Sequence, residues 1–306
     1  MTAIRFEERK IPSSDGVHQL YCRIFFPQET PVGLFHVVHG MIEHIRRYED
    51  FMRALAAQGW LCYGFDNLGH GYTVSDMSEL GYPGKWQYLA DDVRSVTRKM
   101  KAEFGKELPC VLMGHSMGSF IVRLAATPAL WDKLIVMGTA GPNPVSEVGL
   151  ALIAHKIKKE GDRAVSPMME KMIFGSYNKR FLEEKDRISW LSTVPAVRDA
   201  YRSDPYCNYH FTLNGFETLI KLQTLCNSAK WFSRVSPDLP ILLLSGADDP
   251  VGSYGAGVRK VYEELLKNGK KVEMKLYEGA RHEILHEPCS QEVIEDISTA
   301  VAAIRA

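Results

Sequence analysis

The sequence has no Cys-x-x-Cys pair, no internal repeat, no low-complexity tract and no apolar run near the roughly 18 residues of a membrane span. Its six cysteines, Cys22, Cys62, Cys110, Cys207, Cys226 and Cys289, are scattered along the chain. Neither a zinc site nor a disulfide framework is signalled, and they read as reduced, mostly packed thiols. Net charge is also missing. Lys plus Arg and Asp plus Glu both come to 37, which leaves no field for attracting nucleic acid or an anionic membrane and makes a neutral or mixed substrate more natural. Met1 to Lys10 lacks the apolar stretch of a signal peptide, so a cytoplasmic location is expected.

What is present is an ordinary globular composition, 45% hydrophobic, 24% charged and 10% aromatic over 306 residues. That length buries a full core and suits one α/β domain carrying an insertion. The first segment alternates like paired strands, with Ser13-Ser14-Asp15-Gly16 as the turn before Gln19 to Phe26. Short apolar runs then alternate with amphipathic stretches: Leu34 to Val38 with about Tyr48 to Ala57, Leu61 to Phe65 with Gln87 to Glu103, and Cys110 to Met113 with a helix to about Ala126. This argues for a mostly parallel sheet covered on both faces. Another run, Leu134 to Met137, precedes a break at Gly141-Pro142-Asn143-Pro144. From 145 to 235 the strand signal gives way to helical periodicity, as in Leu150, Ile153, Ala154 and Ile157, which reads as a helical cap between core segments 1–144 and 236–306. The alternation resumes with Ile241 to Leu244, a helix around Val258 to Leu266, the strand Val272 to Tyr277 and a last helix from about Glu292 to Ile304.

Gly114-His115-Ser116-Met117-Gly118 fits G-x-S-x-G directly after one expected strand and directly before an expected helix. Reversing from strand to helix over so few residues strains the serine backbone, and the flanking glycines let neighbouring backbones approach. The hydroxyl is thereby exposed at the sheet edge, where the helix N-terminus favours developing negative charge. The alternative is a chance match in a turn, against which the strand and helix flanks count.

With this motif the chain resembles the α/β-hydrolases, and more narrowly their monoglyceride lipase and lysophospholipase-like branch, of serine aminopeptidase S33 type. His39-Gly40-Met41-Ile42-Glu43-His44 followed by Arg47-Tyr48 looks like the H-G-x-x-E-H segment of that branch. Asp66-Asn67-Leu68-Gly69-His70-Gly71-Tyr72-Thr73 is similar to its D-x-x-G-H-G-x-S loop, with Thr73 where serine is usual. The resemblance implies an α/β-hydrolase fold: a mostly parallel eight-stranded sheet flanked by helices, with the helical cap inserted after strand 6.

A hydroxyl at its normal pKa is a weak nucleophile, so catalysis needs a base in hydrogen-bond reach and a buried carboxylate to set the base's tautomer. In this fold the order along the chain is Ser, then acid, then His. Asp248 and Asp249 both follow the run Ile241 to Leu244, and the family pattern, with the acid three residues after glycine and directly before Pro-Val, selects Asp249. Gly279-Ala280-Arg281-His282-Glu283 follows the strand ending at Tyr277 and resembles the family's histidine loop, which makes His282 the expected base. An Asp-Asp-Pro loop is often only a turn, and any of ten histidines could be structural. The order of the residues, each after a strand, counts against coincidence. The oxyanion donors expected from the fold are the backbone N–H groups of Met117 and Met41.

The cap is expected to bound an acyl pocket. Met168, Met169, Met172, Ile173 and Phe174 line an adaptable tunnel on one reading and plain helix core on the other. In the resembling lipases an arginine and a second histidine sit around the alcohol-binding end; Arg47 matches the first, and His286 stands one residue out of register for the second. Glu43 is expected to pair with Arg47 or His44 there. Glu273, Glu278, Lys156, Lys158 and Lys159 read as solvated.

The expected chemistry is hydrolysis of a carboxylic ester with a medium or long acyl chain, monoacylglycerol leading and lysophospholipid close behind, through an acyl-enzyme on Ser116 that needs no metal or organic cofactor. Transient contact of the cap with a membrane surface is compatible with such a substrate. An aminopeptidase or amidase would use cap carboxylates, for which Glu147, Glu160 and Glu170 are available. A non-catalytic binding protein of the same fold usually lacks a triad member, and none is lacking here.

Overall fold

The computed structural model describes residues 4–304; residues 1–3 and 305–306, at the outer ends of the expected core segments, lie outside the described residues. Eight strands form one sheet: β1 (Phe6–Pro12), β2 (Gln19–Phe25), β3 (Gly33–Val38), β4 (Trp60–Phe65), β5 (Cys110–His115), β6 (Lys133–Met137), β7 (Ile241–Gly246) and β8 (Val272–Tyr277). Their spatial order is β1-β2-β4-β3-β5-β6-β7-β8. β2 pairs antiparallel with both its neighbours, and every pair from β4 to β8 is parallel.

The interior parallel strands are buried along their whole length. This is why they read as continuous apolar runs. Successive side chains point to opposite faces, so β5 sends Leu112 into one core and Val111 and Met113 into the other. The second core is closed by α1 (Glu49–Ala56) and α10 (Ser290–Ala302), through Phe51, Met52 and Leu55 and through Val293, Ile297 and Val301. The first is closed by α2 (Trp86–Phe104), α3 (Met117–Ala125) and α9 (Ala256–Lys267).

Between β6 and β7 lie α4 (Ser146–Glu160), α5 (Pro167–Phe174), α6 (Pro195–Ser203), α7 (Leu213–Cys226) and α8 (Ala229–Arg234), together with one isolated bridge, Val165 to Thr212. Their Ile153, Met169, Phe216 and Leu222 belong to the same buried cluster as α2 and α3, so this insertion shares the core of the sheet domain. No helix among the described residues is long and apolar enough to cross a membrane. All six cysteines are free thiols, five of them buried.

Chain order passes from β3 outward to β4 and then back across β3 to β5. The carboxyl ends of β3 and β5 therefore flank a topological switch point, where open α/β sheets hold their ligands.

Candidate active site

At that switch point Ser116 joins β5 to α3 with φ 54° and ψ −120°, a conformation costly for a residue with a side chain. Its N–H donates to the Met137 carbonyl at 3.0 Å. A methyl group on Gly118 would collide with the carbonyls of Val38 and His39, and one on Gly114 with that of Gly118. The two glycines thus allow β3, β5 and α3 to close around the serine. Gly40 does the same from the other side, since a Cβ there would lie 2.9 Å from the Ser116 Cβ. The loop after β3 consequently lies against the serine and brings Met41 to the cleft wall beside it. Ile42 is held at φ 54°, unusual for a β-branched residue, and its carbonyl accepts the Tyr201 hydroxyl at 2.7 Å.

Asp249 follows β7 and His282 follows β8. The carboxylate is fully buried; its Oδ2 lies 2.9 Å from His282 Nδ1, and its Oδ1 accepts the Val251 N–H at 2.8 Å. His282 is 2% exposed and lies under the Trp190 ring, centroids 5.2 Å apart. Ser116 and His282 open onto the same cavity. Asp248 is half-buried, and its N–H donates to the Ala280 carbonyl at 3.0 Å.

Behind these loops sits a buried charged cluster of which the sequence offered only the Glu43–Arg47 pair. Glu43 Oε1 accepts the Gly40 N–H at 2.5 Å, the Tyr48 hydroxyl at 2.9 Å and His115 Nδ1 at 3.1 Å. Its other oxygen accepts Arg47 at 3.2 Å, and Arg47 is held bidentately by Glu283 at 2.5 and 2.7 Å. His115 Nε2 faces the His282 carbonyl at 3.2 Å. Both partners of the His115 ring are acceptors, and only the imidazolium offers two donors. Burial alone would raise the pKa of Glu43, but His115 and Arg47 hold it well below the ordinary carboxyl range. Burial would lower His115, and Glu43 raises it instead. With His115 charged, the two acids and two bases balance, and one cluster ties together the loops bearing Gly40, Ser116 and His282.

Two chambers meet at the serine. One, of about 850 Å³, has mixed walls that carry charged side chains among apolar ones, and contains His282. The other, of about 590 Å³, is lined largely by apolar side chains such as Phe120, Leu152, Met172, Ile173 and Val251. Met41, Ser116, Phe174 and Trp190 border both.

Residues 29–289 match the serine aminopeptidase S33 family. The chain belongs to that family. It is 29% identical over 280 residues to the monoglyceride lipase of Homo sapiens, covering 90% of this chain and 82% of that one. To the monoacylglycerol lipase of Mycolicibacterium smegmatis it is 26% identical over 308 residues, 97% of each. A highly thermostable carboxyl esterase from Bacillus coagulans, solved in complex with glycerol, matches with a TM-score of 0.93 at 27% identity, over 99% of this chain and all of that one. Together these likenesses make the chain an α/β-hydrolase of the monoglyceride-lipase-like branch, among lipases and esterases.

In this S33 chain several side chains expected from sequence lie elsewhere. Arg47 and His286 do not line the large chamber: Arg47 lies behind Glu43 and Glu283, and His286 Nε2 is spent on the Arg47 carbonyl at 3.0 Å. Ion pairing in low dielectric draws the guanidinium inward. Glu43 pairs with Arg47, whereas His44 pairs with Asp204 at 2.9 Å. Met168 is 50% exposed and off both chambers, Met169 is core, and only Met172 of the three reaches the apolar chamber. The reason is the helical turn of α5, which points successive residues in different directions.

Sequence reasoning also missed how the insertion holds the histidine loop of this S33 chain. The N–H groups of His282 and Glu283 donate to the carbonyls of Trp190 and Leu191, at 3.4 and 2.9 Å. Arg281 donates to the Ser189 carbonyl at 2.7 Å and is clamped by the Glu184 carboxylate. The Glu184→Gln protein keeps the shape and loses the charge. At this partial exposure the pair contributes about 1 kcal/mol, so kcat on a soluble ester is expected to fall about fivefold. An unchanged kcat would show that the histidine loop does not depend on this clamp.

Proposed function

We propose that this chain hydrolyses carboxylic esters of medium or long acyl chains, with monoacylglycerol as the leading substrate and lysophospholipid close behind. The observation that carries the reading is the pair of chambers meeting at Ser116, one lined mostly by apolar residues and the other carrying the charged and histidine side chains on a mixed wall, which suits an acyl chain on one side and a hydrophilic alcohol on the other. The monoglyceride lipase relatives support the same substrate class.

On this reading Ser116 attacks the ester carbonyl, His282 takes its proton, and Asp249 steadies the imidazolium through Nδ1. The N–H groups of Met41 and Met117 receive the oxyanion. Protonated His282 then gives its proton to the departing alcohol, leaving the acyl-serine. Water activated by the same imidazole releases the fatty acid and restores the serine, without metal or organic cofactor. Residues 145–235 act as a cap over the site. Val145 and Val148, exposed at the edge of the apolar chamber, suit transient contact with a lipid surface.

The peptidase alternative needs a free carboxylate to hold a substrate amine. Of Glu147, Glu160 and Glu170, only Glu170 borders either chamber, and His210 occupies it at 2.9 Å. A turnover panel of monoacylglycerol, lysophosphatidylcholine, triacylglycerol and aminoacyl arylamides tests the reading. Monoacylglycerol is expected to be cleaved fastest; a preference for the arylamides would replace the ester reading with the peptidase one.

A further inference from the structure

We propose that Lys185 and Arg187 fit the chamber that holds His282 for a phosphate-bearing leaving group, so that they raise kcat/KM for an acylglycerol phosphate relative to that for the neutral acylglycerol with the same chain. This rests on the ester reading above and deepens it.

The argument comes from the charges on the chamber wall. Each acid there is already engaged. Glu43 and Glu283 hold Arg47. Glu170 holds His210 at 2.9 Å. Asp186, which lies between the two cations in sequence, accepts Arg198 at 2.9 Å, Arg202 at 2.8 Å and the Ile188 N–H at 3.1 Å. Of the Lys and Arg side chains on this wall, Lys185, Arg187 and Arg202, Arg202 is further paired with Asp199 at 2.6 Å. Among the described residues, the Lys185 ammonium and the Arg187 guanidinium have no acid partner. Both side chains are exposed at the mouth of the cavity, where an anion can meet the two charges together.

Lys185 also holds a left-handed backbone, φ 53°, where glycine or asparagine is the default; a long cation stands there at a conformational cost. A glycerol leaving group asks for neither charge and fills little of about 850 Å³. A phosphate on that glycerol offers oxygens in the arrangement that a guanidinium fork and an ammonium both recognise. Among the described residues the apolar chamber carries one cation, Lys260, on its wall, so the selectivity acts on the leaving-group side.

The test compares the full chain with its Lys185→Ala/Arg187→Ala double variant. The readout is the ratio of kcat/KM for a short-chain 1-acylglycerol 3-phosphate to that for the matching 1-acylglycerol, both below their micelle concentrations so that adsorption to a lipid surface plays no part. The ratio is expected to fall about tenfold in the double variant, the combined size of two exposed charge contacts. High salt should bring the unsubstituted chain down to the same ratio. An identical ratio in both proteins, or a ratio insensitive to salt, overturns the proposal while leaving the ester reading intact. Failure to cleave either ester overturns both.

Discussion

Asp249→Asn is expected to lower kcat by about 10⁴, the size of effect seen when a triad carboxylate loses its charge but keeps its shape. The carboxylate is fully buried and lies 2.9 Å from His282 Nδ1, with its other oxygen on the Val251 N–H. An amide in that place keeps its carbonyl on the Val251 N–H and turns its NH₂ toward the imidazole. Nδ1 must then accept, the proton moves to Nε2, and the ring faces Ser116 with a donor where it needs a lone pair. On the proposed mechanism the defect lies in the base and not in either chamber, so KM on a soluble p-nitrophenyl ester should stay within a few-fold, and labelling by a fluorophosphonate should slow in parallel with kcat. A variant retaining a tenth or more of the wild-type kcat would remove Asp249 from the mechanism.

Glu43→Gln is the second large effect, and it falls on stability. The substitution withdraws a buried charge from His115 and Arg47 at once, and breaking a buried pair from one side costs about 3–5 kcal/mol. Its pH dependence has a definite sign. Glu43 is held below its ordinary value of 4.5, so its contribution is present above that value and is lost as pH falls through the lower folded one. His115 is held above its ordinary 6.5, so its contribution is complete below that value and is lost as pH rises through the raised one. Denaturant unfolding of wild type and variant should therefore show the widest gap between about pH 4.5 and 6.5, narrowing as pH rises above 6.5. A gap that widened with rising pH would contradict a charged His115.

The sheet was readable from sequence because each parallel strand is buried on both faces and so appears as an uninterrupted apolar run. The differences are at the ends. Cys110 to Met113 extends to His115, and the helix expected from Tyr48 starts at Glu49 after a short 3-10 turn, Ile45–Tyr48, in which the Tyr48 hydroxyl is bonded to Glu43. The insertion was readable as helical but not in its orientation. Met168, Met169, Met172, Ile173 and Phe174 place apolar residues around most of α5; periodicity then names no buried face, and packing decides that Met169 is core while Met168 faces solvent.

The sequence by itself determined where Ser116, Asp249 and His282 stand in the chain, because each belongs to a loop directly after a strand, and a strand end with its glycines is a local property of a few residues. Only the tertiary structure decided which charges meet. His115 finds Glu43 across 72 positions, Arg47 finds Glu283 across 236, and Arg281 finds Glu184 across 97. Spacing alone offered Arg47 its i,i+4 neighbour Glu43, yet its shortest bonds go to Glu283. Partner choice among buried charges follows from which side chains packing brings into the same low-dielectric space, and no short stretch of sequence contains that information.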